Sequence, residues 1–176
     1  LLSYVILSAS SYGGELYQKF GVFDIKHKNE TDAYAITTKY MQDKEVNLGI
    51  IDELKPIYEL SFYYDDRNKN NQGYGAYVSS GLSKKINLTN SLFLLPSFSA
   101  GLYQEFDEGK DMGYPLEFKS EVELNFKILN SSIIGVSYSH ISNADIGDKN
   151  PGSDNILFNF RLSENCRMPP RYKLET

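Results

Sequence analysis

The sequence predicts an all-β protein folded as an eight-stranded antiparallel transmembrane β-barrel. Three observations predict this fold. Hydrophobic and polar residues alternate with a period of two in many segments, the candidate strands are even in number, and the segments between them are alternately short and long. The chain of 176 residues is long enough for eight membrane strands of roughly 10 residues each. Its 14 tyrosines and 10 phenylalanines suit the two interfaces of a membrane.

The clearest alternation runs over residues 116–128. One face carries Leu116, Phe118, Val122, Leu124, Phe126 and Ile128, with Ser120 as its only polar residue. The other face carries Glu117, Lys119, Glu121, Glu123, Asn125 and Lys127. An apolar face against lipid and a charged face in a polar lumen explain this pattern. A soluble sheet with one wet face would alternate in the same way, but the number of such strands and the lack of helical periodicity favour the barrel.

The candidate strands follow one another along the whole chain. They cover about residues 17–26, 32–41, 57–64, 73–87, 91–104, 116–128, 132–142 and 154–162. Closing eight strands into a barrel removes the exposed sheet edge, which lipid does not tolerate. The interior of so small a barrel is normally filled by its own side chains, so the charged residues Glu117, Lys119, Glu121, Glu123 and Lys127 are expected to form structural pairs rather than to line a pore.

The connections predict which end of the barrel faces which compartment. Residues 87–90 and 129–132 are short and are expected to be periplasmic turns, whereas 65–72, 105–115 and 143–153 are longer, polar and expected to be extracellular loops. Residues 42–56 do not follow this rule, because they are long but fall on the periplasmic side. A short helical turn from Asn47 to Leu54 is the expectation for this segment.

The two ends of the sequence differ from the barrel region. Residues 1–7 are apolar and residues 8–10 are small, which is typical of the end of a signal peptide whose charged start is missing. The alternative is that residues 1–7 form a buried first strand. The predicted organisation is therefore a signal-peptide remnant at 1–10, a barrel at 11–162 and a polar C-terminal tail at 163–176.

Composition excludes several classes of function. The net charge of −5 and the pI of about 5.1 argue against nucleic-acid binding, which usually needs a basic face. A single cysteine, Cys166, excludes a disulfide framework and a cysteine-rich metal site. Only two histidines, His27 and His140, argue against a histidine-rich metal site.

Residues 138–154 hold the only dense cluster of residue types used in nucleophilic acyl transfer, namely His140, Ser142 and Asp154. A serine hydroxyl is a weak nucleophile until a base removes its proton, and an imidazole does this near neutral pH. A carboxylate fixes the tautomer of the imidazole and stabilises its charged form. Taken singly, each of the three has a more ordinary structural interpretation, as a packed histidine, a strand-end serine and a turn-capping acid.

The spacing of these residues supports a common site. His140 and Ser142 are two residues apart on one strand and so point to the same face. Asp154 shares its register with the apolar residues of the next strand. All three are therefore predicted on the lipid face at the extracellular rim, where Asn143 could donate a hydrogen bond to an oxyanion. The alternative for Asn143 is a turn-forming loop residue.

A family resemblance follows from these residues. The string His140-Ile141-Ser142-Asn143-Ala144, then Asn150-Pro151-Gly152 and an acid twelve residues after the serine, resembles the lipid A 3-O-deacylase family of eight-stranded outer-membrane barrels. The resemblance implies that His140 is the base, Ser142 the nucleophile and Asn143 the oxyanion donor. The family typically has Glu at the acid position, where this chain has Asp154. Asp145 and Asp148 are the alternative acids, both in the loop.

The resemblance also implies a reaction and a location. It implies hydrolysis of the ester that holds a 3-hydroxyacyl chain at position 3 of lipid A, within lipopolysaccharide in the outer membrane. The active site would face the outer leaflet, and no metal or organic cofactor is implied. Two alternatives remain open: a non-enzymatic small barrel with a structural or adhesive role, and a soluble lipocalin-like binder. Whether the barrel forms a homodimer is also open.

Overall fold

The computed structural model describes residues 13–26, 33–68, 71–128 and 132–162, and these form a single β-sheet. Ten strands make up this sheet: β1 (Gly14–Val22), β2 (Ala33–Gln42), β3 (Val46–Leu48), β4 (Ile51–Asn68), β5 (Asn71–Lys84), β6 (Ile86–Asn87), β7 (Leu92–Asp107), β8 (Leu116–Lys127), β9 (Ile133–Ser142) and β10 (Ser153–Arg161). Across these ranges, no helix has the length and apolar character needed to cross a membrane.

The eight long strands close into an antiparallel barrel. Each pairs with the next long strand along the chain, with β2 beside β4 and β5 beside β7. The ring closes where β1 pairs with β10, with Gln18 opposite Phe160 and Val22 opposite Ile156. The two short strands are side branches, β3 on β4 and β6 on β7. The predicted eight-stranded antiparallel barrel is confirmed.

The two faces of the barrel wall have opposite chemistry, as the alternation predicts. In β8, Glu121 and Glu123 are buried in the interior, whereas Val122 and Leu124 point outward and are more than two-fifths exposed. The same division runs around the barrel, with Ile36, Phe62, Phe98 and Phe158 on the outside. An apolar exterior of this extent around a charged interior is the pattern of a membrane barrel.

The interior charges neutralise one another. Lys19 donates hydrogen bonds to Glu121 (2.7 Å) and Glu123 (2.8 Å), and Lys119 donates to Glu59 (3.0 Å). Lys39 binds the same two carboxylates as Lys19. The expected pairing is thus confirmed for Lys119, Glu121 and Glu123, and it offsets the high cost of burying isolated charges. Glu117 is different, because neither of its carboxylate oxygens has a hydrogen-bond partner among the described residues.

Two ends of the barrel can be distinguished by the segments that connect the strands. Among the described connecting segments, the loop end carries residues 23–26, 108–115 and 143–152, and the turn end carries 43–50 and 85–91. The predicted loops 65–72 and 105–115 begin too early, because β4 continues to Asn68 and β7 continues to Asp107. Polar residues do not mark the end of a strand when its inner face is polar: Asp65 is buried and still pairs with Gly73.

The predicted helical turn from Asn47 to Leu54 is wrong. These residues form a hairpin in which β3 pairs with the start of β4, with Val46 opposite Leu54. Gly49 makes the tight turn possible, because its φ of 61° is a left-handed conformation that side chains disfavour. The segment is long because β4 extends beyond the other strands at the turn end.

The predicted signal-peptide remnant at 1–10 and the predicted tail at 163–176 lie outside the described residues. The barrel predicted at 11–162 contains every strand described here. The signal-peptide remnant and the C-terminal tail therefore remain predictions.

Candidate active site

The predicted site residues lie on the outward face near the loop end, where β8, β9 and β10 are neighbours. Asp154 of β10 is directly opposite His140 of β9, and His140 is directly opposite Ser120 of β8. Directly opposed residues project their side chains to the same face of a sheet. This face therefore carries a row of three polar side chains between otherwise apolar positions.

His140 and Asp154 are in contact. Nδ1 of the imidazole lies 3.1 Å from Oδ1 of the carboxylate. An ionised carboxylate only accepts hydrogen bonds, so this contact places a proton on Nδ1, and in the neutral imidazole Nε2 is then the acceptor. The His140 side chain is 46% exposed, whereas that of Asp154 is 6% exposed. The arrangement thus presents a basic nitrogen at the membrane-facing surface with its acid partner shielded behind it.

Ser142 occupies the next outward position on β9, two residues beyond His140 towards the loop end. No hydrogen bond joins it to His140 among the described residues. Ser120 is the other hydroxyl beside His140, across the strand pair on β8. Two serines therefore flank the imidazole on the outward face, one along its own strand and one on the neighbouring strand.

Gly152 closes the loop-end side of the imidazole. A Cβ atom at this position would lie 3.1 Å from Cε1 and 3.6 Å from Nε2 of His140. Its φ of 59° is also left-handed, so the backbone comes close to the ring in a conformation that glycine adopts at little cost. The edge of the imidazole that carries Cε1 and Nε2 therefore lies next to Gly152.

Two further side chains bind Asp154. The hydroxyl of Tyr138 donates to Oδ1, the same oxygen that faces His140, and Nζ of Lys26 lies 2.8 Å from Oδ2. This contact raises the pKa of the Lys26 ammonium, chiefly through the hydrogen bond to Asp154. Sequence reasoning did not single out either residue for a role in the site. Tyr138 could have been found from its position two residues before His140, but Lys26 is far away in the sequence and gives no local signal.

Asn143 holds the loop that follows β9. Its side chain is fully buried, and Nδ2 donates to the carbonyl oxygens of Met112 (3.0 Å) and Lys149 (2.8 Å). Its Oδ1 accepts from the backbone N–H of Asp145 (3.0 Å). Both hydrogens of the amide are therefore engaged in loop contacts, and the predicted oxyanion role of Asn143 would require one of these bonds to open.

The alternative acids lie elsewhere. Asp145 accepts a hydrogen bond from Nδ2 of Asn150 (3.0 Å), and Asn150 in turn accepts from the backbone N–H of Asn143 (3.2 Å). Among the described residues it is Asp154, and neither Asp145 nor Asp148, that contacts His140. Asp145 instead takes part in the hydrogen bonds that hold the loop.

The loop 143–152 is also tied to the neighbouring loop 108–115. Lys149 forms an ion pair with Asp111, and this hydrogen bond lowers the pKa of the Asp111 carboxyl. Asp111 also accepts a hydrogen bond from the backbone N–H of Gly113 (2.7 Å). The Lys149–Asp111 pair and the Asn143–Met112 contact thus join the two loops, one of which begins directly after Ser142.

The described residues include no group of three or more His, Cys, Asp or Glu side chains that could hold a metal ion. What they do include is an acid–base pair beside serine hydroxyls, on the apolar outside of a closed barrel. Fold and site together define a transmembrane β-barrel that carries a histidine–aspartate pair, with two serines close to it, on its outward wall.

Comparison with known proteins identifies the family. The sequence model of the lipid A 3-O-deacylase (PagL) family matches residues 45–163, more than half of the chain, and the chain belongs to that family. The solved structure described as the outer membrane enzyme PagL has the same fold, with a TM-score of 0.58 at 14% sequence identity. The match covers 85% of this chain and 99% of that one.

Other comparisons add little. The Yersinia pestis outer membrane protein Ail, solved in a phospholipid bilayer nanodisc, matches with a TM-score of 0.47 and 14% identity, over 85% of this chain and 99% of that one. A similarity of that size supports no conclusion. No curated protein matches the sequence.

Proposed function

We propose that this protein is an outer-membrane serine esterase that removes the ester-linked 3-hydroxyacyl chain at position 3 of lipid A. The observation that carries the proposal is the His140–Asp154 contact on the outward face of the barrel. Polar and ionised groups are costly on a lipid-facing surface and usually mark function. A substrate that is itself a membrane lipid explains why the acid–base pair is there. Membership of the lipid A 3-O-deacylase family supports the same substrate.

The proposed reaction begins with Ser142. Its Oγ attacks the ester carbonyl carbon, and its proton passes to Nε2 of His140. The tetrahedral intermediate then collapses: the bond from the carbonyl carbon to the sugar oxygen breaks, and His140 gives the proton to that oxygen. Asp154 keeps Nδ1 protonated and stabilises the imidazolium while it exists. The product at this stage is an acyl-serine and a free sugar hydroxyl.

Water completes the cycle. His140 takes a proton from the water as its oxygen attacks the acyl carbon, and the proton then goes to Oγ of Ser142 as the acyl bond breaks. A 3-hydroxy fatty acid leaves, and the enzyme returns to its starting state. The site at the loop end would face the outer leaflet, where lipopolysaccharide is located, if the loops are extracellular as in other outer-membrane barrels.

The experiment that tests the proposal is mass spectrometry of lipid A. The refolded barrel is incubated with purified lipopolysaccharide in detergent, beside His140→Ala, Ser142→Ala and the matched control Ser120→Ala. We expect the parent and Ser120→Ala to remove one hydroxyacyl mass and the other two variants to remove none. Activity in Ser142→Ala combined with its loss in Ser120→Ala would move the nucleophile to β8. Intact lipid A with a folded parent would favour a non-enzymatic barrel.

A further inference from the structure

We propose that Tyr138 and Lys26 are positioning residues: together they fix the carboxylate of Asp154 in the orientation in which it holds the proton on Nδ1 of His140. The kinetic consequence of this inference rests on the proposed esterase function. Its structural consequence, the tautomer of His140, does not.

Both oxygens of Asp154 are held. Oδ1 accepts from the Tyr138 hydroxyl and faces Nδ1 of His140, while Oδ2 binds Nζ of Lys26 at 2.8 Å. A free aspartate rotates readily about its last side-chain bond, because that torsion has no sharp minima. Here such a rotation breaks the contacts on both oxygens. The carboxylate is thereby limited to the orientation that serves the imidazole.

Lys26 is brought to Asp154 by the backbone of the segment that follows β1. The N–H of Ile25 donates to the carbonyl oxygen of Asp154 (2.8 Å), and the N–H of Asp24 donates to the side chain of Asn155 (3.0 Å). Asp24 is in turn paired with Lys110 at 2.6 Å. The two N–H bonds continue the contact of β1 with β10 beyond the end of the strand, and the Asp24–Lys110 pair ties the same segment to loop 108–115. The lysine is thus tied to the strand that carries its partner, unlike an ordinary surface ion pair.

The ion pair between Lys26 and Asp154 also explains how an ionised carboxylate can remain on the outward face of the barrel. Lys26 is 71% exposed and lies over Asp154, which is 6% exposed. Its positive charge offsets the negative charge of the acid where the surroundings are apolar, which lowers the cost of keeping the acid ionised. Tyr138 adds a neutral donor from the outward register of β9, two residues from His140. The two residues thus hold the acid from two different parts of the barrel, Lys26 from the segment after β1 and Tyr138 from β9.

The first test is the tautomer of His140, measured by ¹⁵N NMR of the imidazole nitrogens in the refolded, histidine-labelled barrel. A His27→Gln variant assigns the two histidines. We expect the parent to carry the neutral imidazole proton on Nδ1, and Tyr138→Phe and Lys26→Met to shift population towards the Nε2-protonated form. Tyr58→Phe, a lipid-facing tyrosine on β4, is the matched control and should not change it. An unchanged tautomer in both site variants, or an Nε2-protonated parent, would overturn the inference.

The second test is a double-mutant cycle on deacylation. Tyr138→Phe should lower kcat about tenfold, within the range for residues that share one hydrogen-bond network, and leave KM nearly unchanged. In an Asp154→Ala background the same change should have no further effect, because the group through which it acts is gone. An equal loss in both backgrounds would show that Tyr138 acts by another route. If the parent itself is inactive, the proposed function fails, while the tautomer measurement still decides this inference.

Discussion

Asp154 is an ionisable residue in a register that otherwise points at lipid. The next two residues in that register, Ile156 and Phe158, are exposed on the outside, yet Asp154 is buried. Its carboxylate contacts three polar side chains, those of Lys26, Tyr138 and His140. The charge of Asp154 is therefore compensated by the side chains next to it, and each of these three residues can be mutated separately.

Gly152→Ala tests the close approach to His140. The added Cβ would lie 3.1 Å from Cε1 of the imidazole, so we expect the ring to move and deacylation to fall. Gly49→Ala is the control, because that glycine has the same left-handed conformation but open space around it at the turn end. Both changes should cost about 1 to 2 kcal/mol of unfolding free energy. Equal activity of the two variants would contradict the described position of His140.

Asn143→Asp tests whether Asn143 braces the loop or stabilises an oxyanion. The change removes both donors, leaving the carbonyl oxygens of Met112 and Lys149 without partners, and adds a charge. If bracing is the main role, amide hydrogen exchange in loops 108–115 and 143–152 should accelerate together with the loss of activity. A loss of activity with unchanged exchange would support the oxyanion role and contradict the bracing role.

The segments that connect the strands at the loop end make more contacts with one another than the sequence analysis predicted. Loops 108–115 and 143–152 are joined through Asn143 and through the Asp111–Lys149 pair. The segment after β1 is joined to β10 by the Ile25–Asp154 backbone bond. The acid–base pair is therefore positioned by three connections at once, all at one end of the barrel.

The interior charge cluster gives a prediction about β1. Lys19→Met should lower the unfolding free energy by about 3 to 5 kcal/mol, because Glu121 and Glu123 each lose a buried partner. Lys127→Met, in the same strand register as those glutamates but less buried, should change it much less. Urea titration followed by circular dichroism in detergent measures both. Similar midpoints for the two variants would argue against the described network.

The sequence predicted the strands and their faces well, because period-2 alternation depends on each strand alone. Val122 and Glu123 could be assigned to opposite faces without knowing any neighbour. The His140–Asp154 contact could also be anticipated, since one loop joins their strands and their registers agree. Two features could not be predicted this way. Lys26 reaches Asp154 only because the barrel closes β1 against β10. The hairpin at 46–54 depends on the pairing of β3 with β4, which the amino-acid composition of this segment did not indicate.

Over the whole molecule, the large apolar side chains on the outer wall fit a barrel that is surrounded by lipid rather than by water. Val122→Arg on the outward face of β8 should cost about 2 to 4 kcal/mol in a bilayer, because Val122 is near the middle of the strand. Ile128→Arg, just beyond the turn end of the same strand, should cost about 0 to 1 kcal/mol. Equal costs, measured by unfolding from lipid vesicles, would contradict a membrane-spanning orientation.

Ser142 is the proposed nucleophile, and the His140–Asp154 pair is proposed to activate it. A fluorophosphonate reagent traps such a serine covalently, and tandem mass spectrometry of the digested barrel identifies the modified residue. We expect a single phosphonylated residue, Ser142, with labelling abolished in His140→Ala. Labelling of Ser120, or labelling that persists without His140, would contradict it.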